Sequence, residues 1–161
     1  MGRYEFRTKR LCRTTCQKIT TRQGTLDDIQ DIAAIESHGW SYQQIHDELT
    51  RKVSRVLVAE KMGLKDKTNL VGWIAAWGIP PFELQIIQVT VAKEYQRQGI
   101  GYRLLSDLLM ECDCEEVILE VREDNTPAIE LYKKTGFVTY GERKMYYKDG
   151  TSACLMRKEM L

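Results

Sequence analysis

A strong charge of either sign is missing. The 24 basic and 23 acidic side chains leave a formal +1, so no overall field argues for nucleic acid or an anionic membrane as partner. Long apolar runs are missing too. None approaches the roughly 20 residues of a membrane span, and no apolar h-region follows the basic start, so a secretory signal is not expected. Histidine is scarce: His38 and His46 stand apart from any partner along the chain and are expected at the surface rather than on a metal. The cysteines are odd in number (Cys12, Cys16, Cys112, Cys114, Cys154), and their C-x3-C and C-x-C spacings have no histidine nearby. No metal site is expected from them; free thiols in a reducing cytoplasm are. Repeats, low-complexity segments and internal linkers are absent as well.

What is present fits one domain. The 161 residues fall within the usual range of about 100–200 and are enough to bury roughly two-thirds of the unfolded surface without staples. Hydrophobic content of 43% and charged content of 29% are ordinary for a soluble globular chain. The charge is uneven, however. Residues 1–18 hold Arg3, Arg7, Lys9, Arg10, Arg13 and Lys18 against Glu5, a local +5 that leaves −4 for the remainder. Residues 1–16 read as a basic extension, expected to be a frayed, solvated terminus, and residues 17–161 as the domain.

The domain is organised around the hexamer Gln96-Arg97-Gln98-Gly99-Ile100-Gly101. A β-rich run over residues 84–91 leads into it, and an amphipathic run over residues 102–112 leaves it. Strand, glycine loop and helix together make an anion site. The first N–H groups of a helix have no partner within it and point outward at the positive end of the dipole. Gly99 and Gly101 lack Cβ, so a phosphate can approach the backbone closely. The lysine of a P-loop and the third glycine of a dinucleotide fingerprint are missing, and glycines at such a corner also serve a plain turn. On the hexamer alone, pyrophosphate cradle and turn both stand.

Elsewhere, residues 17–22 read as a first strand. Thr25, with Asp28 three residues on, caps a helix in near capping-box form, and Leu26, Ile29, Ile32, Ala33 and Ile35 follow at helical spacing. Gly39 ends that helix, and Ser41 caps the next, which carries Tyr42, Ile45 and Leu49. Strands are expected over residues 53–60 and 70–77, with a polar turn over residues 63–69 between them. Pro80-Pro81 then require a wide loop. After the hexamer, Leu104, Leu105, Leu108, Leu109 and Cys112 form one apolar stripe. Residues 117–121 are apolar apart from Glu120, the pattern of a strand covered on both faces. Thr126 as cap and Pro127 at the first helical position open a last helix. Gly136 closes it, and two strands near residues 137–140 and 153–160 finish the chain. The alternation gives a mixed sheet flanked by helices, an α/β (α+β) fold.

Glu120 is the odd residue in its strand. A buried lone carboxylate is costly, so either a cation satisfies it or it lines a cleft. Arg122, two residues on, shares its face and offers a structural ion pair. Desolvation would raise the carboxyl's pKa, the direction wanted in a general base; base and ion pair are left open. Tyr132, at helical spacing from Ala128 and Ile129, faces partly inward, as core tyrosines do. Asn125 precedes the expected cap, so its side chain is available either to a ligand or to an Asx-turn. Trp40 lies between two helices as a packing wedge, and Tyr146 and Tyr147 form an aromatic cluster in a late hairpin.

Together these pieces resemble the GNAT superfamily of acetyl-CoA-dependent N-acetyltransferases. The resemblance rests on the hexamer, on Leu119-Glu120-Val121-Arg122, and on Asn125-Thr126-Pro127-Ala128-Ile129-Glu130-Leu131-Tyr132 followed by Lys133-Lys134-Thr135-Gly136-Phe137. Within it the chain is most similar to RimI-type ribosomal-protein alanine N-acetyltransferases, which share the Leu-Glu-Val-Arg strand, a late tyrosine pair, and an Ile-Glu before Trp-Ser, here Ile35-Glu36 and Trp40-Ser41. Two positions depart from that pattern: Gly39 stands for proline before the tryptophan, and Met145 for asparagine before the tyrosine pair. Both flank the acceptor region.

The resemblance implies a single GNAT domain with a mixed, mostly antiparallel sheet of about seven strands and about four helices. It implies that backbone groups of Val89, Thr90 and Val91 hold the pantetheine of acetyl-CoA, and that Arg97, Gln98, Gly99, Ile100, Gly101 and Tyr102 wrap its pyrophosphate. Asn125 would contact the same molecule. Glu120 would be the base, Tyr132 the acid, and Trp40 and Tyr146 would border the acceptor. No metal is implied. The implied acceptor is a protein N-terminus, a ribosomal protein's alanine first. The same chemistry on a small amine and a non-catalytic acyl-CoA-binding module are the alternatives.

Overall fold

The computed structural model describes residues 19–35, 39–62, 68–79 and 81–160. The basic arm with Cys12 and Cys16, together with Glu36, His38, residues 63–67 and Pro80, lies outside them. Strands β1 (Ile19–Gln23), β2 (Ser54–Met62), β3 (Thr68–Ile79), β4 (Glu83–Val91), β5 (Glu116–Arg122), β6 (Val138–Arg143) and β7 (Ala153–Glu159) form one seven-stranded sheet. Its order is β1-β2-β3-β4-β5-β7-β6. The pairings are antiparallel except β4 with β5. Among the described residues four α-helices accompany it: α1 (Ile29–Ile35), α2 (Tyr42–Thr50), α3 (Ile100–Met110) and α4 (Thr126–Lys134). Parallel β4 and β5 need a long crossover, and α3 supplies it.

Alternation along β2 and β3 divides the core in two. Leu57, Ala59, Ile74 and Ala76 share one face with Leu104, Leu105 and Leu108 of α3 and with Tyr132 of α4. Val56, Val58, Trp73 and Ala75 share the other with Ile32 of α1 and Ile45 of α2. The stripe expected on α3 is therefore its buried face. The capping boxes also form. Thr25 N donates to Asp28 Oδ2 at 2.8 Å. At the start of α2, Ser41 N donates to Gln44 Oε1 at 2.8 Å, and Gln44 N to Ser41 Oγ at 3.3 Å.

Four expectations change. Residues 117–121 are not covered on both faces: Val117, Leu119 and Val121 are buried, whereas Glu116, Ile118, Glu120 and Arg122 are half-buried on the opposite face. The cap of α4 is Asn125, not Thr126; its Oδ1 accepts from Ala128 N at 3.3 Å, and Thr126 takes the first helical position. Cys112 and Cys114 are joined by a disulfide rather than free. The turn ending α3 brings their Cα atoms to 5.5 Å, within bridging range. Thr68 and Asn69, expected in a turn, already belong to β3.

Sequence pattern gave no sign of the carboxylate that ties α3 to the sheet edge. Asp107 is 7% exposed and accepts from Thr21 Oγ1 of β1 and from Arg103 Nε at 2.6 Å. Asp107→Ala removes the acceptor and strands the Thr21 hydroxyl, a loss of about 1–3 kcal/mol. At about 2–4 °C per kcal/mol for a chain of this size, thermal melting is expected to fall by several degrees. An unchanged melting temperature would show that the tie contributes nothing.

Candidate active site

A cleft opens where β4 and β5 part. Their parallel register runs only from Glu83↔Glu116 to Ile86↔Leu119. It stops where β4 bulges: Ala75 faces Gln88 and Ala76 faces Ile86, so Ile87 is the extra residue. A bulge bends and twists its strand, and here it turns the last residues of β4 away from β5. Ala92 N donates to Val71 O at 2.9 Å. Antiparallel ladders alternate, so Thr90 directs its main-chain groups at β3, while Val89 and Val91 direct theirs toward the gap. Gln96 Nε2 donates to Val91 O at 3.1 Å and braces the loop against the strand.

The hexamer adopts the geometry an anion site needs. Gly99 has φ +82°, the left-handed region, and is the N-cap of α3 without a capping side chain. Arg97 is left-handed too, at φ +62°. The first helical bond runs from Arg103 N to Gly99 O at 2.9 Å, so the N–H groups of Ile100, Gly101 and Tyr102 have no partner within the helix. Gly101 packs closely against α4. A Cβ there would lie 3.2 Å from Leu131 Cδ2 of α4 and 3.8 Å from Val91 Cγ2.

The cleft has a volume of about 630 Å³. It gathers Val89, Thr90, Val91, Arg97, Gly99, Ile100, Gly101, Tyr102, Asn125 and Tyr132 from the residues expected at the site. Gln98 is not among its walls; its Nε2 turns back to Glu94 O at 3.2 Å. Tyr95, Ala128, Leu131 and Lys134 also line it, and single-residue reasoning had not named them. Asn125 serves the helix cap and the cleft wall at once. A diphosphate ligand fits this wall: a glycine-capped helix start, unpartnered N–H groups, and Arg97 and Lys134 nearby.

Tyr132 is 7% exposed and meets Phe137 edge-on at 5.8 Å. Burial pushes its phenol well above the ordinary tyrosine value, with a smaller contribution from Tyr147. Glu120 lies outside the cleft walls, in a neighbouring group. Its Oε1 is 3.2 Å from Arg143 Nη2. Tyr146 hydrogen-bonds to Glu120, and that bond raises the Tyr146 phenol. The Glu120–Arg122 ion pair, one of the two readings left open, does not form. Arg122 is engaged by Asp124 at 3.0 Å, Asp149 at 2.8 Å and Thr151 Oγ1 at 2.8 Å, and lies 4.7 Å over the Tyr147 ring. Those three oxygen partners satisfy it elsewhere, which leaves Glu120 to Arg143. Trp40 packs edge-on to Trp73 at 5.4 Å, as a wedge does. Met145 sits at φ +51°, a left-handed conformation that asparagine tolerates better than a long side chain.

The acetyltransferase (GNAT) family profile matches residues 25–137. The chain belongs to this family of acetyl-transfer enzymes. It is 34% identical over 148 residues to a putative ribosomal protein bS18-alanine N-acetyltransferase of Bacillus subtilis, covering 86% of this chain and 94% of that one. It is 40% identical over 102 residues to the N-alpha-acetyltransferase RimI of Mycobacterium tuberculosis, covering 61% of this chain. The match spans 65% of that Mycobacterium protein and 28% of a longer Mycobacterium leprae relative. The crystal structure of ribosomal-protein-S18-alanine N-acetyltransferase from Escherichia coli superposes with a TM-score of 0.77 at 24% identity, covering 88% of this chain and 94% of that one. That likeness shows a shared GNAT fold. Among the described residues no helix is long and apolar enough to cross a membrane.

Proposed function

We propose that the chain transfers the acetyl group of acetyl-CoA directly to the α-amine of a protein N-terminus, an N-terminal alanine of a ribosomal protein being the leading acceptor. The observation that carries this reading is the cleft itself. A glycine-capped helix start, Val89, Val91 and Tyr132 line it together. The Bacillus and Mycobacterium relatives carry names of the same kind.

Acetyl-CoA supplies an activated thioester. Ile100, Gly101 and Tyr102 would hold its diphosphate, and Val89 and Val91 N–H groups would face the oxyanion. Glu120 takes a proton from the acceptor ammonium. As the C–N bond forms and the C–S bond breaks, the nitrogen gives its second proton to solvent and the sulfur takes one from Tyr132, which solvent then restores. A phenol raised by burial resists staying ionised, so Tyr132 donates only as its proton is replaced. An α-amine ionises near 7.7–8.0 and lysine near 10.4, a gap of about 2.5 units or about 3.4 kcal/mol. One carboxylate therefore serves an N-terminal amine better than a lysine.

Tyr132→Phe is expected to lower kcat about 100-fold or more, followed as CoA thiol release, with acetyl-CoA affinity kept. Full turnover in this variant would remove Tyr132 from the chemistry. The acceptor is tested by mass spectrometry of ribosomal proteins from cells with and without the chain. One N-terminal alanine is expected to lose its acetyl group in its absence; no change in any N-terminus would overturn the ribosomal acceptor.

A further inference from the structure

Arg143 belongs to none of the segments that carry the resemblance and has no part in the steps above. It ends β6, in the sheet row Arg122–Ala153–Arg143, and reaches back across β7 to Glu120. Its Nη2 stands 3.2 Å from Oε1 of that carboxylate, and its guanidinium lies 5.5 Å over the Tyr146 ring. Tyr146 hydrogen-bonds the same carboxylate. Arg122, nearer in sequence, is held by Asp124 and Asp149 instead.

The acceptor arrives as a cation. An α-ammonium with a pKa of about 7.7–8.0 seeks the carboxylate that this guanidinium occupies. The Arg143 side chain is 56% exposed and that of Glu120 20%. An ion pair whose cation lies mostly in water is weak and screened, so a ligand of like charge can displace it. Building on the proposed function, we propose that Arg143 is a positioning residue that stands in for the acceptor's ammonium, holding Glu120 aimed at the amine's place and yielding it when the acceptor enters. The tyrosine ring under the guanidinium gives the displaced cation a place to rest. Acceptor and Arg143 then compete for one carboxylate, so the arginine weakens acceptor binding while keeping the base oriented.

The sign of that competition is the test. With the full chain and an alanine-terminated peptide, Arg143→Gln is expected to lower the acceptor KM about fivefold, the size of an exposed ion pair. Its kcat moves by a smaller factor and the acetyl-CoA KM stays put. Arg143→Lys restores the acceptor KM, because the charge returns. Calorimetry on the CoA-loaded chain at pH 6, where the amine is cationic, gives a readout without turnover. Arg143→Gln, or Arg143→Ala should the glutamine variant fold poorly, tightens the peptide about fivefold but not its desamino analogue. An acceptor KM that rises or does not move, or equal tightening of both peptides, overturns the proposal. A wild-type chain that neither acetylates nor binds any N-terminal peptide overturns the proposed function and takes this inference with it.

Discussion

Glu120→Gln is expected to lower kcat at neutral pH by about 10²–10⁴-fold, the usual contribution of a general base, and to leave the Kd for acetyl-CoA within a few-fold of wild type. The substitution keeps shape and hydrogen-bonding capacity but cannot take a proton. Glu120 is not among the cleft walls that would hold the nucleotide, so binding and chemistry should separate. The sign with pH follows from the acceptor. Below about pH 8 an α-amine is mostly protonated and needs the base; above it the amine is already neutral. The deficit of the variant should therefore shrink as pH rises from 7 to 9.5. Steady-state rates across that range, with calorimetry for the cofactor, check both parts. Equal activity of the two proteins at every pH would remove Glu120 as base, and a deficit that stays constant with pH would assign it to orientation instead.

Local constraints made half of the site legible in advance. The hexamer could be read because its needs are met within one strand, one turn and one helix: a positive φ at Gly99, a close approach at Gly101, and N–H groups without partners in the first turn of α3. The apolar stripe of α3 and the capping boxes at Thr25 and Ser41 are local in the same sense. The surroundings of Glu120 were not legible, because its partners come from β6 and the turn after it. Neighbourhood along the chain pointed to Arg122, and the sheet assigned that arginine to Asp124, Asp149 and Thr151. Pattern also missed the open face of β5. Glu120 was read as an exception inside a covered strand, yet Glu116, Ile118 and Arg122 share its half-buried face. At the start of α4, Asn125 and Thr126 both have capping side chains, and only the backbone angles decide between them. Asn125 at φ −83°, ψ 63° is the non-helical one, as an N-cap must be. Trp40 was readable as packing, and the Trp73 contact bears that out; its place beside the acceptor belongs with the proposed function.

The second large effect is expected at the anion wall. Gly101→Glu should raise the Kd for CoA by about 100-fold or more, about 2.7 kcal/mol, with little loss of stability. Position 101 is the second residue of α3. A carboxylate there lies against the positive end of the dipole and near N–H groups that lack helical partners, a placement that favours the folded helix. The Cβ itself meets Leu131 Cδ2 at 3.2 Å, the far end of a side chain, which has to give by a few tenths of an ångström. Fold and ligand therefore respond in opposite ways. The built-in anion satisfies the helix start and repels the diphosphate that would use the same donors. Gly101→Ala separates the two causes, since it introduces the Leu131 contact without the charge and should weaken binding far less. Calorimetry with CoA and thermal melting of both variants give the answer. Wild-type affinity in Gly101→Glu would mean that the nucleotide is held somewhere other than the start of α3. Equal losses in the two variants would mean that packing against α4, rather than anion recognition, is what the glycine protects.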